Sequence, residues 1–298
     1  MGDMLKNRVA VITGAGNGLG KAYAIGMARQ GARVVVNDLG TSFDGDGASG
    51  DAADEVVEVI RKEGGDAVAN YDSVALEDGA NNIIKTAIDK YGRIDILVNN
   101  AGIIRGGFIY ETNFADWDVM IKTHLYGTFF CTHEASKIMK EQKYGRIINI
   151  SSHNGLGLKG GSAYSAAKEG ITGFSRSVAR DMAPFGVTCN IIRPIAAWRG
   201  AVVKIQEFEE KRTDDVAVLV IYLASEGADH ISGCIFEVYS GRVGIYEEPP
   251  QIKQVLWKNG HFTSEELAEM IPQTLTRGET RDDFPETLPF SLNPPDRD

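Results

Sequence analysis

The first twenty residues constrain the fold of this chain more than any other stretch. Arg8-Val9-Ala10-Val11-Ile12 is a short apolar run, the pattern of a buried strand. It leads directly into Thr13-Gly14-Ala15-Gly16-Asn17-Gly18-Leu19-Gly20, and a helical pattern follows from Lys21 to about Gln30. Strand, glycine-rich turn and helix open a βαβ unit, whose crossover commits the chain to a parallel sheet covered on both faces. The same order can hold a pyrophosphate on a helix N-terminus. Gly14, Asn17, Gly18, Leu19 and Gly20 are therefore candidate cofactor contacts. The glycines let backbone amides approach phosphate, and Gly20 lets the helix pack close to the sheet.

The next apolar run, Arg33-Val34-Val35-Val36-Asn37, ends at Asp38. A carboxylate about 20 residues after the glycines accepts hydrogen bonds from the adenosine ribose hydroxyls. It would also repel a 2′-phosphate. No basic residue interrupts the glycine loop, and Leu39 follows Asp38. The cofactor expected from these residues is NAD, not NADP.

Strand-like runs at 8–12, 33–37, 67–70, 94–98, 146–150, 187–192 and 234–238 alternate with helical patterns. The helical patterns lie near 19–30, 51–64, 77–91, 115–141, 163–183 and 214–225. The expected fold is α/β, a doubly wound parallel sheet of about seven strands with helices on both faces. Residues 1–245 form the expected dinucleotide-binding domain, and 246–298 a C-terminal extension. That extension is expected to pack on its own domain or on a neighbouring subunit. Within it, Thr263-Ser264-Glu265-Glu266 has the form of a capped helix start. The loop Gly40–Asp51 holds Asp44 and Asp46 but lacks the rest of a calcium-loop pattern; it is read as a solvated insertion.

Ligands of such sheets sit beyond the carboxyl ends of the strands. Asp72, Ser73 and Val74 follow the third strand and are expected beside the adenine. Asn99-Asn100-Ala101-Gly102 follows the fourth, and its small residues would let backbone lie close to the ribose and nicotinamide.

Tyr164 and Lys168, in the string YSAAK, stand one helical turn apart and share a helix face. A tyrosine is a poor acid or base near neutral pH, its ordinary pKa being about 10. An ammonium beside it favours the phenolate, so the pair is a candidate proton-transfer device. Lys168 is also expected to touch the nicotinamide ribose.

Composition limits the alternatives. A chain of 298 residues, 43% hydrophobic, can bury a sizeable core. The net charge of −10 argues against nucleic acid as a partner. No apolar run is long enough to span a bilayer, MGDMLKNR lacks a signal-peptide core, and NPPDRD is not a peroxisomal address. The expected location is cytoplasmic. Cys131, Cys189 and Cys234 have no metal-like spacing and read as buried thiols. His133, His153, His230 and His261 show no metal-ligand spacing either, and no metal is expected. His153 is expected to line the substrate mouth or face solvent.

TGAGNGLG, NNAG, the pair Ser151-Ser152 and YSAAK together resemble the short-chain dehydrogenase/reductase family over roughly residues 5–245. The strings NDLG, ANYDSV, QKYGRII and CIFEVYSGRVG are similar to one branch of it, the (3R)-hydroxyacyl-CoA dehydrogenase domain of peroxisomal multifunctional enzymes. The resemblance implies an NAD-dependent oxidoreductase that converts a secondary hydroxyl to a ketone, with a 3-hydroxyacyl-CoA as leading substrate. Two alternatives stand beside it. One is a dehydrogenase of a free secondary alcohol such as a hydroxysteroid or terpenoid alcohol. The other is a non-catalytic NAD-binding module.

The resemblance also assigns roles. Tyr164 and Lys168 match the catalytic pair. Aligned on the strand, Ser152 matches the serine that polarises the substrate oxygen; counted back from Tyr164, Ser151 does. Side-chain alternation along a strand favours Ser152, and both remain candidates. His124 stands where the family usually has an asparagine, and a relay role or a purely structural one is open to it. Pro194-Ile195 replaces a usual Pro-Gly that contacts the nicotinamide. Arg199 is a candidate phosphate contact, and Trp198 and Phe208 a candidate apolar wall. The segment 201–212 is a short lid. The family usually forms dimers or tetramers through its two long helices, so a homo-oligomer is expected.

Overall fold

Along the first strand, β1 (Val9–Thr13), alternate side chains feed different cores. Ala10 and Ile12 join one apolar cluster, Val9 and Val11 the other. A strand buried on both faces needs helices on both faces, and the computed structural model supplies them. It describes residues 2–42, 44–195, 209–239 and 241–275. The chain divides into two units, Met1–Tyr246 and Glu247–Asp298.

In the first unit β1 is followed by β2 (Arg33–Asn37), β3 (Asp66–Asn70), β4 (Ile96–Asn99), β5 (Gly145–Ile150), β6 (Val187–Pro194), β7 (Ile235–Tyr239) and β8 (Arg242–Ile245). They form one sheet in the order β3-β2-β1-β4-β5-β6-β7-β8. The first seven run parallel. The strand order reverses between β1 and β4, and this switch point opens a crevice at the carboxyl ends of the strands.

Helices α1 (Gly18–Arg29), α2 (Asp51–Lys62) and α7 (Glu209–Ala224) cover one face through Tyr23, Met27, Val56, Ile60 and Val220. The other face is covered by α3 (Glu77–Tyr91), α5 (Gly127–Gln142) and α6 (Ser162–Met182), through Ile83, Ile84, Ala135, Met139 and Val178. The expected helix at 115–141 is observed as α4 (Phe114–Ile121) and α5, joined by a single π-helical turn, Lys122–Tyr126.

The sheet has eight strands, one more than expected. β8 is short, largely exposed and antiparallel to β7, with Val243 opposite Val238. A four-residue edge strand with one face in water carries too little apolar pattern to be read from sequence. Gly241, at φ +80°, provides the left-handed residue of the turn that leads into it. Cys131 and Cys189 are buried, and burial pushes both thiols up to about 12. Cys234, expected buried, is only half-buried.

In the second unit, α8 (Ser264–Gln273) begins at a capping box. The Thr263 hydroxyl accepts from the Glu266 amide, and the Glu266 carboxylate accepts from the Thr263 amide. Two orphan donors are thereby satisfied. No helix among the described residues is long and apolar enough to cross a membrane.

Candidate active site

The glycine loop between β1 and α1 is held from below by Thr13. Its hydroxyl accepts from the amides of Asn100 (3.0 Å) and Ala101 (3.1 Å), beyond the end of β4. The Asn100 side chain returns two bonds, to the carbonyls of Thr13 (2.9 Å) and Gly14 (3.0 Å). Asn100 and Thr13 therefore shape the cradle instead of lining it. Thr13 was not among the expected site residues; a hydroxyl at the last position of a strand is its only sequence signal.

The cradle fits a dinucleotide. A methyl group at Gly20 would lie 2.1 Å from the Gly14 carbonyl, and one at Gly14 2.7 Å from the Ala101 Cα. Both glycines are thus required by packing. Gly18, at φ +52°, has no atom within 4 Å of such a position, so the loop is open there. The N-cap Asn17 makes no side-chain cap, and the first turn of α1 carries no acid. Its amides and positive dipole end are left for an anion. Leu19 packs against the core.

Asp38 closes one side of the glycine loop. It is 9% exposed, and its two oxygens accept from the amides of Gly16 and Gly40, each at 2.7 Å. The carboxylate is fixed beside the glycine loop. Asp72 is tied into its own turn by Asn70 (2.8 Å) and Asn82 (3.2 Å), and the Ser73 hydroxyl accepts from the Ala75 amide. Val74, expected beside the adenine, turns its side chain inward. Its side chain is core, buried beneath α5, where a methyl at Gly127 would meet it at 2.8 Å. Pro194 ends β6, and the amide of Ile195, the next residue, is spent on the Val238 carbonyl.

The chemistry-bearing groups gather at the carboxyl end of β5. Ser152 ends the run from the strand, and its hydroxyl interacts with the Tyr164 phenol. It also accepts from the Asn154 amide at 3.1 Å. Ser151 faces the other way. Its hydroxyl bonds the Lys168 carbonyl (2.9 Å) and Thr172 Oγ1 (3.1 Å), stitching β5 to α6. The pleat allows only one of two consecutive serines to face Tyr164, so Ser151 is not part of the cluster.

Lys168 is 4% exposed and its Nζ donates to the Ile150 carbonyl at 2.7 Å. In the free chain burial outweighs the lowering expected of the Lys168 charge on Tyr164. Burial pushes the Tyr164 phenol up, opposed only by Ser152. Burial also pulls Lys168 down to about 7. Desolvation penalises the charged form of both, and the ammonium group sits over the tyrosine ring, 5.6 Å from its centroid.

His124 lies within the π turn and is 2% exposed. Its ring meets Tyr164 edge-on, with centroids 5.4 Å apart. Nε2 lies 2.7 Å from the Ile103 carbonyl and 3.3 Å from the Ile103 amide; the shorter contact, to an oxygen that can only accept, favours the proton on Nε2. Nδ1 is buried with no partner among the described residues. Burial and the nearby Lys168 lower its pKa to about 3. Both effects favour the neutral ring in the folded chain. Gly102 leaves room for it, since a methyl there would lie 2.5 Å from the ring.

His153 is part-buried beside β7 and the residue after β8. Its Nδ1 lies 3.3 Å from the Tyr246 hydroxyl and 3.7 Å from the Glu237 carboxylate. Trp198, Arg199, Phe208 and most of the segment 201–212 lie outside the described residues. Among the described residues, no group of three or more His, Cys, Asp or Glu could hold a metal ion.

The sequence model of the short chain dehydrogenase family matches residues 8–203. The chain is 50% identical over 226 residues to the peroxisomal multifunctional enzyme type 2 of Drosophila melanogaster, covering 74% of this chain but only 37% of that one. It is 38% identical over 250 residues to the (2S)-[(R)-hydroxy(phenyl)methyl]succinyl-CoA dehydrogenase subunit BbsD of Thauera aromatica, covering 80% and 97% respectively. A short chain dehydrogenase from Mycobacterium avium has the same fold, with a TM-score of 0.82, 38% identity and coverage of 91% and 96%. Fold, cradle and residue cluster agree with these matches: the chain belongs to the short-chain dehydrogenase family and is an oxidoreductase acting on CH–OH groups.

Proposed function

We propose that this protein oxidises the hydroxyl of a 3-hydroxyacyl-CoA to a ketone with NAD as acceptor. The observation that carries the chemistry is the Ser152, Tyr164 and Lys168 cluster, set at the carboxyl end of β5 beside the glycine cradle. Bound dinucleotide supplies the hydride acceptor. The protein's own groups handle the proton and the oxygen. Ser152 donates to the substrate oxygen, and Tyr164, as phenolate, takes the hydroxyl proton. In reverse Tyr164 returns it. Donors already in place at the developing oxyanion lower the barrier without reorganising. Burial pulls Lys168 down to about 7, so its charge is easily lost while its surroundings are dry. Polar ligand groups beside it favour the ammonium, and a charge there then favours the phenolate. His124, uncharged, holds the Ile103 backbone and offers Nδ1 as an acceptor.

The preference for NAD rests on Asp38, whose carboxylate is pinned at the adenosine side and would repel a 2′-phosphate. The thioester rests on the relatives, one of which has a CoA ester in its printed name. The described arginines near the cluster add nothing to it. Arg105 pairs with Asp46 and Asp116, and Arg193 with Glu169. A free secondary alcohol is therefore the second reading. Association into a homo-oligomer is supported by Tyr126 and Phe129, 48% and 43% exposed on the long-helix face.

The test follows NADH absorbance with a panel of 3-hydroxyacyl-CoA thioesters, their free acids and free hydroxysteroids, with NAD and then NADP. Preference for thioesters and NAD is expected. Equal or better turnover of free alcohols refutes the thioester reading, and better turnover with NADP refutes the role given to Asp38.

A further inference from the structure

Arg193 has no part in the chemistry above, yet it is among the largest fully buried side chains, 2% exposed. A buried arginine is costly unless paired and hydrogen-bonded. Its partners come from α6 and from the residue just past β8, while its Nε has none among the described residues. Its Nη2 donates to the Glu169 carboxylate at 2.5 Å, and Glu169 follows Lys168 directly on α6. Its guanidinium stacks 4.7 Å from the centroid of the Tyr246 ring, just past β8. The Tyr246 hydroxyl donates to Glu237 of β7 at 3.2 Å and meets His153 at 3.3 Å. His153 is the residue after Ser152.

This arrangement bears on the distance between the two halves of the cluster. Ser152 arrives from β5, whereas Tyr164 and Lys168 ride on α6. The turn after Ser152 rests on α6 so closely that a methyl at Gly155 would lie 2.9 Å from the Glu169 carboxylate and 3.2 Å from the Lys168 Cβ. Thr172 of α6 reaches the same carboxylate oxygen at 3.4 Å. One charged pair thus presses the serine turn, the catalytic helix and β6 together, and His153 braces the turn from its far side.

We propose that Arg193 and Glu169 form a positioning pair that sets the spacing between Ser152 and the Tyr164–Lys168 helix. The proposal rests on the reaction given above. Neither residue is among the catalytic or cofactor candidates named above, so the loss of the pair is expected to act on kcat through geometry. Misplacement of reacting groups by a fraction of an ångström to 1 Å costs on the order of 10- to 100-fold in rate.

The experiment compares wild type, Arg193→Met/Glu169→Leu and Glu169→Gln. The double variant removes both charges at similar volume and so leaves no unpaired charge behind. Glu169→Gln keeps the shape and serves if the double variant does not fold. Melting temperature, NADH affinity by fluorescence titration, kcat, and KM for a medium-chain (3R)-hydroxyacyl-CoA are measured. A folded variant with NADH affinity within about twofold of wild type, unchanged KM and kcat lower by about tenfold or more is expected. Wild-type kcat in a folded variant overturns the proposal, as does a loss confined to NADH affinity. If wild type turns over a free alcohol but no thioester, the substrate reading alone fails, and the variants are read on that alcohol.

Discussion

Two adjacent serines give the sharpest prediction, because they stand in similar burial and differ in what they face. Ser151 is 2% exposed and bonds the Lys168 carbonyl at 2.9 Å. Ser151→Ala removes that bond, but the same carbonyl still accepts from Thr172 Oγ1 at 3.1 Å. Thr172 Oγ1 loses its Ser151 partner as well, so two hydrogen bonds are lost, about 1–3 kcal/mol together. For a chain of this size each kcal/mol lowers the melting temperature by about 2–4 °C. Ser152→Ala removes an acceptor for the Asn154 amide, at a cost of about 1 kcal/mol. It also removes the donor facing Tyr164, and loss of one such donor costs about 10²–10³ in kcat. The assay pairs a thermal melt with initial rates of NADH formation. Both variants are expected to melt slightly early, and only Ser152→Ala to lose turnover. A comparable loss of turnover in Ser151→Ala would refute the facing deduced from the pleat.

Other expectations follow from the same geometry. Tyr164→Phe should bind NADH normally and lose nearly all turnover; substantial residual activity would sink its role as acid and base. Gly20→Ala should weaken NADH binding by about tenfold or more, because its methyl meets backbone 2.1 Å away in the turn that must approach pyrophosphate. An unchanged titration would remove the cradle from the site. His124 titrates at about 3 when folded and about 6.5 when unfolded. Between those values the unfolded state holds the extra proton, so stability falls as pH drops through that window. His124→Asn should lose less stability than wild type between about pH 7 and about pH 5, measured by urea unfolding; equal losses would contradict the burial of a neutral ring.

Sequence alone determined whatever depends on chain neighbours. The strand, glycine turn and helix at residues 8–30, the acid at Asp38 and the four-residue spacing of Tyr164 and Lys168 are local patterns. Their geometry follows from the periods of strand and helix. The alternation of apolar runs gave the sheet and its seven parallel strands for the same reason. The capped helix at Thr263 was equally legible.

Tertiary structure decided what depends on distant chain and on water. Which serine faces Tyr164 is settled by how β5 is pleated against α6. The charge states of His124 and Lys168 come from burial, and desolvation is a property of everything packed around a group, not of the group's own sequence. Val74 proved to be core because α5 lies over it. Asn100 and Thr13 became props of the cradle because β1 and β4 end side by side. Arg193 and Glu169, 24 positions apart, show no pattern in the chain; only the docking of α6 on β6 makes them a pair.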